Sequence, residues 1–554
     1  LMVILLGAAG VDLMLNEMRR TQLQSTLDRA VLAAADLDQE GEPAEDKSFS
    51  DKLQEYLALL NASASGKMYL AVTDYIKSED TLHAFMVMDI IEETKPHMAK
   101  LIQRAIDDIQ KADEDIVVDS VTINEVPFKV LGDVDDDEKE KLHIGLTDKH
   151  AIFGFGKQSA ERFMHFSNNP PEKPLSMKAD FLECYKNVAS KEMFWYTDVG
   201  RLFEMADIAN MAAAGPQPQF MKTFMDSVMN MYKGMGAGIS FQGRAIVDEL
   251  YFTFDKLEWE TLKQMGQFPC AFKSADLMPK DAMLYAGFSA PMDAVYSDII
   301  KYFGEAVEGK ITEFENLTML SMKDEIVKAL GTEIGLYAAF SGMAPSFLAV
   351  VEVDNEDVIR QIVSEEGLAA LMPGMQFNKS VLNEVDVYTI AMPGSPPMAI
   401  TVYNGWLMLG TLNAVKDSML RQEVNSLQAN ENFRDSMAYK AGMDNINSMF
   451  FLDSQAAFGA LFDNAMPFLQ TILAQNPNFD PAAIPTRDAF VGDMIPLVIF
   501  SEMKGEGGKV RSAGPIPYSV TQIANILFTA AMAIEQQAPQ DEGEDEEEDP
   551  EGIF

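Results

Sequence analysis

Hydrophobic and polar positions recur along this chain at a fixed separation. The runs 144–154 and 400–410 begin 256 residues apart (400 minus 144), and each has a mainly apolar stretch on both sides of a turn. The turns fall at Asp148-Lys149 and at Asn404-Gly405, and the Asn-Gly pair is the stronger hairpin signal. Each run therefore predicts two antiparallel strands followed by a helix. Their recurrence predicts a tandem duplication.

The pattern before the first run predicts a second group of elements. A helical run at 53–60 precedes strands at 68–72 and 84–89. Thr94 and Pro96 are helix-start signals. The helix that follows has an apolar stripe of Met98, Leu101, Ile102, Ala105, Ile106 and Ile109.

The second run is preceded by elements in the same order. Strands are predicted at 334–338 and 347–353, followed by a helix capped by Asp354 or Asn355. Similar four-residue stretches at 123–126 and 382–385 then each open a further strand. The order predicts an α+β fold of two tandem related domains, each an antiparallel sheet covered by helices on one face.

The two copies differ in one segment. Residues 275–289 of the second copy form a turn that leads into a strand, and the first copy has no counterpart. The first copy is therefore expected to lack an edge strand. The unpaired edge would be covered by the second copy or by a partner.

Composition changes divide the chain into segments. Residues 1–15 are apolar but fewer than the roughly 20 that span a bilayer, which indicates the end of a membrane segment. The expected segments are a truncated membrane-anchor or amphipathic helix at 1–40, a linker at 41–50, repeat domains at 51–270 and 271–537, and an acidic disordered tail at 538–554.

The amino-terminal segment resembles a known family. Residues 11–12, 19–24 and 28–36 look like the membrane-proximal start of Tad-type pilus-assembly proteins of the TadG kind. The resemblance covers about the first 40 residues. It implies an export anchor, and a pilus role is the wider alternative.

Four segments of the second copy carry another resemblance. Residues 276–285, 331–337, 347–353 and 405–410 resemble an uncharacterised family of exported bacterial proteins with a "Leu-Pro-Ala-Asp…Tyr" start. The likeness extends over about 51–535 as two copies and is looser in the first. It implies a fold and an extracytoplasmic setting, and it implies no activity.

Charge narrows the class of partner. The 43 basic and 86 acidic residues give a formal charge of −43, which repels phosphate backbones and argues against nucleic acid. The run 541–551 is almost entirely acidic and predicts a solvated tail, with weak binding of divalent ions or a basic partner as the alternative.

Cysteine and histidine content limits metal and redox chemistry. Cys184 and Cys270 are too few for a disulfide framework, and two buried thiols are favoured over a pair formed in an oxidising compartment. All five histidines lie at 83–165, in the first copy. No histidine site can therefore be shared by both copies, and no cofactor is predicted.

The acidic run 133–138 is the one candidate metal loop. Asp133, Asp135 and Asp137 occupy the first, third and fifth places of a calcium loop. Glu138 then stands where the turn glycine belongs, and Ile144 where a bidentate glutamate belongs. A solvated hairpin loop is favoured over a calcium site.

A glycine run and a methionine run are both interpreted as structural features and not as binding sites. Gly234, Gly236 and Gly238 predict a helix stop with a tight entry into a strand, in preference to a phosphate cradle. The methionine run contains Met221, Met225, Met229, Met231 and Met235. Its pattern favours packing in a hydrophobic core, and a soft metal site or an adaptable hydrophobic groove are the alternatives.

Catalytic constellations are absent from the sequence. Ser289 in Gly287-Phe-Ser289-Ala-Pro291 comes closest to a nucleophile elbow, but the closing glycine and a nearby histidine are missing. We therefore expect a non-catalytic binding or scaffold protein, tethered to the membrane of a bacterial envelope and largely extracytoplasmic, that binds a protein or envelope component. An envelope hydrolase using paired carboxylates and a Tad-type pilus-assembly component are the alternatives.

Overall fold

The computed structural model describes residues 64–519, except 77–80, 91, 113–114, 134–136, 139–140, 189–192, 202–230, 257–262, 264–265, 267, 342–343, 373–374, 392–395, 474–485, 493 and 516. The predicted anchor, the linker, the helical run 53–60 and the acidic tail lie outside these residues. Contacts divide the chain into a first unit, Leu1–Met177, and a second unit, Lys178–Phe554. This division differs from the expected boundary after residue 270.

In its described residues, the first unit has one antiparallel sheet and two longer helices. Its strands are β1 (Ala64–Ile76), β2 (Thr81–Ile90), β3 (Ile116–Ile123), β4 (Val126–Asp133), β5 (Leu142–Leu146) and β6 (His150–Phe155). They lie in the order β1-β2-β6-β5-β4-β3. The helices are α1 (Lys95–Ala112) and α2 (Gly156–Asn168), with single 3-10 turns at Glu92–Thr94 and Leu175–Met177.

The second unit contains a sheet of 13 strands. These are β7 (Met193–Asp198), β8 (Tyr232–Gln242), β9 (Ala245–Phe254), β10 (Leu284–Ser289), β11 (Leu330–Ser341), β12 (Ala344–Val353), β13 (Asn378–Leu382), β14 (Val385–Ile390), β15 (Met398–Tyr403), β16 (Trp406–Thr411), β17 (Ile446–Leu452), β18 (Leu497–Lys504) and β19 (Gly507–Gly514). Their order is β13-β14-β15-β16-β12-β11-β10-β17-β18-β19-β9-β8-β7.

The helices of the second unit lie between these strands along the chain. They are α3 (Ala179–Asn187), α4 (Met292–Thr318), α5 (Val327–Ala329), α6 (Glu356–Ile362), α7 (Glu365–Leu371), α8 (Leu412–Met419), α9 (Glu431–Ser436), α10 (Ser454–Leu473) and α11 (Arg487–Val491). A π-helical turn, Met322–Ile326, precedes α5, and 3-10 turns occur at Lys273–Asp276, Glu423–Asn425, Leu427–Ala429 and Met437–Lys440.

Strands β11 to β16 repeat the order of β1 to β6. The repeated block also has one register, because Ile144 pairs with Phe153 as Ile400 pairs with Leu409. The stretches 123–126 and 382–385 are two-residue turns in both units. Their Asn and Glu residues all have positive φ, between 47° and 68°, and such turns match the twist of a hairpin.

Helices cover both faces of these sheets, so the expectation of one covered face is wrong. Ala151 packs in a cluster with Met98 of α1, whereas its neighbour Ile152 packs with Ala160 of α2. Successive strand residues point to opposite faces. Leu407 and Met408 divide in the same way between the α6 and α8 sides of the second unit. The α+β class with antiparallel sheets is confirmed.

The strand β10 is an interior strand, not an edge strand. It pairs with β11 on one side and with β17 on the other. In the second unit β9 pairs with β19, so that the hairpin β8–β9 continues the sheet of β18–β19. This pairing explains why residues 193–254 belong to the second unit.

Candidate functional site

The predicted calcium loop lies between β4 and β5 of the first unit. Asp133 ends β4, Asp137 is exposed, and Asp135 lies outside the described residues. The Glu138 carboxylate lies 3.1 Å from Nε2 of the buried His143. Among the residues that the structure describes, no three histidine, cysteine or carboxylate side chains converge on a metal position. A site at Asp133, Asp135 and Asp137 stays a prediction.

Both cysteines are buried free thiols, as the favoured interpretation expected. Cys184 Sγ donates to the carbonyl of Tyr251 at 3.4 Å. Burial raises the pKa of the Cys184 thiol to about 12, and nearby Asp180 adds to the effect. Burial likewise raises the pKa of Cys270 to about 12. Protonated, shielded thiols are poor nucleophiles, so these side chains are packing groups.

The glycine run 234–238 lies inside β8, so the strand begins earlier than expected and the glycines are strand residues; Met231, directly before β8, is helical. A Cβ on Gly236 would lie 2.5 Å from Cβ of Cys184, and a Cβ on Gly234 would lie 2.8 Å from the Tyr196 hydroxyl. The glycines therefore let α3 and a tyrosine ring approach the strand closely. Of the methionine run, Met235 is a buried residue of β8, and residues 221–230 lie outside the described part.

Ser289 ends β10, two residues before α4 begins. It is buried, and its hydroxyl has no hydrogen-bond partner within the described residues. Its cross-strand neighbour is Glu333, whose carboxylate accepts the Ser274 N–H at 2.6 Å. Residues 178–554 contain no histidine. The second unit therefore cannot form a serine–histidine pair from its own residues.

An open surface cavity lies in the second unit, lined mostly by polar and charged residues. Its volume is about 640 Å³, and it is lined by Lys280, Asp281, Arg421, Asn425, Asn430, Asp453 and Ala456. It lies beside the 276–285 segment that the second resemblance singled out. Two cations and two carboxylates give the lining a balanced charge, which suits a polar or zwitterionic ligand better than a strongly charged one.

Hydrogen bonds to the backbone hold three of the six polar side chains that line the cavity. Arg421 Nε donates to the carbonyl of Leu277 at 3.3 Å, and burial lowers the pKa of its guanidinium. Asn430 Nδ2 donates to the carbonyl of Lys280 at 2.7 Å. Asp453 Oδ1 accepts the Ala456 N–H at 3.0 Å, an N-cap on α10. These groups join the 277–283 loop to 421–430 and cap helices.

A buried ion pair joins β9 to β19, and sequence reasoning missed it. Lys509 Nζ lies 2.9 Å from Glu249 Oε1, and both side chains are almost fully buried. Arg511 Nη1 lies 3.7 Å from the same oxygen. The only sequence signal is Asp248-Glu249 inside an otherwise apolar strand. Burial raises the pKa of Asp248, which accepts hydrogen bonds from Ser512 and Ser519.

Comparison with known proteins gives one sequence match. A family model described as Flp pilus-assembly TadE/G-like matches residues 1–37, which confirms the resemblance of the amino-terminal segment to that family. No curated protein matches the chain. No helix among the described residues is long and apolar enough to cross a membrane.

Solved structures give weak likenesses. Crystal form I of TP0453 shares 10% identity over 47% of this chain and 86% of its own, with a TM-score of 0.21. Crystal form III shares 9% identity over 46% and 85%, with a TM-score of 0.24. Crystal form IV shares 10% identity over 42% and 79%, with a TM-score of 0.22. Scores this low support no conclusion about fold or function.

Proposed function

We propose that this protein is a non-catalytic binding or scaffold protein of the bacterial envelope, tethered by its first 40 residues with its bulk outside the cytoplasm. The match of residues 1–37 to the Tad pilus-assembly model supports the envelope setting. We also propose that 51–535 holds two copies of one exported domain. The common strand order of β1–β6 and β11–β16 supports that duplication.

The observation that carries the non-catalytic proposal is the bonding of the cavity. Arg421, Asn430 and Asp453 each hydrogen-bond to backbone groups of loops or helix ends. Groups held in this way stabilise the fold, which is a sufficient role for them without any catalytic step. The balanced charge and the backbone hydrogen bonds indicate that these side chains stabilise the loops at the surface of the second unit.

The test is turnover by the purified full chain in mild detergent. We expect no hydrolysis above the buffer rate with ester, phosphate, glycoside and peptide substrates. Reproducible turnover that one cavity substitution abolishes would overturn the proposal.

An envelope hydrolase is the second candidate, because Asp281 and Asp453 line the same cavity. Paired carboxylates are a common acid–base arrangement. Asp281→Asn and Asp453→Asn would then each abolish turnover. Asp386→Asn is the matched control, because Asp386 lies on β14 and does not line the cavity. An amide oxygen at position 453 keeps a helix-cap acceptor, so loss of activity there would not reflect a lost cap.

A pilus-assembly role is the third candidate, and the match of residues 1–37 favours it. Deleting residues 1–40 in the producing cell should then reduce piliation. A chain with a foreign membrane anchor in their place is the control for tethering alone. Normal piliation after the deletion would remove this candidate.

A further inference from the structure

The outer edge of β7 lacks a neighbouring strand among the described residues. β7 pairs with β8 over Met193–Asp198 and ends the sheet of the second unit. β17 holds the corresponding place beside β18, at the same 256-residue offset (449 minus 193). The other side of β17 is covered by β10, which runs antiparallel from Leu284 to Phe288. The pairing of β10 with β17 therefore serves as a template for a strand that could pair with the outer edge of β7.

Edge strands of soluble proteins are normally protected by lysine, proline, bulges or short length. At the opposite end of the same sheet, β13 is five residues long, carries Lys379 and is exposed from Asn378 to Val381. β7, six residues long, contains no lysine and no proline. Its sequence is Met-Phe-Trp-Tyr-Thr-Asp, and its pairing with β8 contains no bulge. An apolar, unprotected edge is typical of a strand that pairs with another polypeptide.

Other elements already cover both faces of β7. On one face the Phe194 ring contacts Phe181 and Tyr185 of α3, with centroid distances of 5.9 and 5.1 Å. On the other face Trp195 packs against a cluster that includes Met235 and Leu250. Addition to the edge is therefore the mode of binding that remains. The Trp195 indole nitrogen and the Tyr196 hydroxyl are shielded and have no hydrogen-bond partner within the described residues, which is typical of incomplete surroundings.

We propose that the free edge of β7 binds an extended segment of a partner protein, which joins the sheet as an antiparallel strand. This inference rests on the proposed binding function and names its surface. In the template, Gly287 lies opposite Met449 and Ala286 lies opposite Phe450. The partner segment accordingly has small residues opposite Met193 and Phe194 and apolar residues beside them. Because the chain carries a charge of −43, an acidic segment is disfavoured.

The probe is a fluorescent peptide that copies residues 282–291 and ends in two added lysines. We expect it to bind the full chain and to bind Thr197→Lys about tenfold more weakly, because the new charge lies along the docked apolar strand. Ser380→Lys is the matched control, since it adds the same charge to β13 and should not change binding. A peptide with proline at both the Ala286 and the Gly287 positions lacks a ladder N–H whichever of the two faces β7, and it should not bind.

Four results would overturn the proposal. One is the absence of binding at peptide concentrations up to about 1 mM. Another is equal weakening by Thr197→Lys and Ser380→Lys. Protection from hydrogen exchange, in the isolated monomer, of the β7 amides that do not bond to β8 would assign the edge to the chain itself. A dimer that Thr197→Lys dissociates would assign it to a second copy. None of these results depends on hydrolysis. Detection of turnover, which would overturn the proposed non-catalytic function, is therefore distinguishable from failure of the β7 proposal.

Discussion

Strands β7 and β17 each pair along one side with the first strand of a hairpin, and they differ in what lies along the other side. β10 covers β17, and in β17 Met449 and Phe451 are buried. In β7 the residues from Phe194 to Asp198 are all partly accessible. The same local sequence pattern thus forms an interior strand in one place and an edge in the other.

The difference comes from one inserted strand. β10 links β17 to β11, and the sheet of the second unit runs through it without interruption. The strands β1–β6 form a separate sheet, and no described residue of the first copy takes the part of β10. In the second copy, β10 joins the strands β11–β16 and the strands β17–β19 into one sheet.

The largest expected effect is the removal of a ring from the covered strand. Phe451 is fully buried and packs against Phe433 with a centroid distance of 5.3 Å. Phe451→Ala should lower the free energy of unfolding of the second unit by about 3 to 5 kcal/mol. Trp195→Ala in β7 should cost less than half as much, since Trp195 is only partly buried. All three tryptophans lie in residues 178–554, so tryptophan fluorescence during urea unfolding reports this unit.

Equal costs for Phe451→Ala and Trp195→Ala would contradict the comparison. Such a result would mean that β7 is enclosed as completely as β17 in the isolated protein.

The next effect concerns the pairing of β9 with β19. Lys509→Met removes the nearest partner of the buried Glu249 carboxylate and should cost about 3 kcal/mol, the lower end for a broken buried pair, because Arg511 remains nearby. Lys379→Met is the matched control on the exposed strand β13. Its pair with Asp386, at 2.7 Å, is half exposed and should contribute less than about 1 kcal/mol. Equal losses in urea unfolding would show that the β9–β19 pair is solvated.

The repeated block shows what the sequence could predict. Its strand–turn–strand–helix order follows from short, mainly apolar stretches and from turn residues such as Asn404-Gly405, both of which are local signals. The covering of both faces was not predicted. Strand β16, Trp406–Thr411, reads as a nearly continuous apolar run, which is typical of a strand buried on both sides. This apolar run is the local sequence signal for a strand covered on both faces.

Non-local pairing could not be predicted. Nothing in the local pattern of Leu284–Ser289 distinguishes an edge strand from one that lies between β11 and β17. The ion pair of Glu249 and Lys509 joins residues of both copies, so neither copy reveals it alone. The cavity at Arg421 and Asp453 likewise depends on loops that meet only in the folded unit.

Stability should also depend on pH through the β9–β19 junction. Burial raises the pKa of Asp248 above its unfolded value. The stability that its protonated form contributes is present below the unfolded pKa and is lost as pH rises through the folded pKa. The stability of the native chain relative to Asp248→Asn should therefore fall in urea unfolding as the pH rises above about 4, the usual pKa of an aspartate. A constant difference would show that Asp248 titrates normally.

The smallest effect is expected at the open edge itself. Thr197→Lys should leave the free energy of unfolding within about 0.5 kcal/mol of the native value, since Thr197 is partly exposed and no described strand lies along the side of β7 that faces away from β8. Leu452→Lys places the same side chain on β17, between Leu284 and Leu497, and should cost about 2 kcal/mol or more. The free energy of unfolding of both variants is measured by urea unfolding in the absence of any peptide. A large loss at Thr197 would mean that the edge of β7 is already covered.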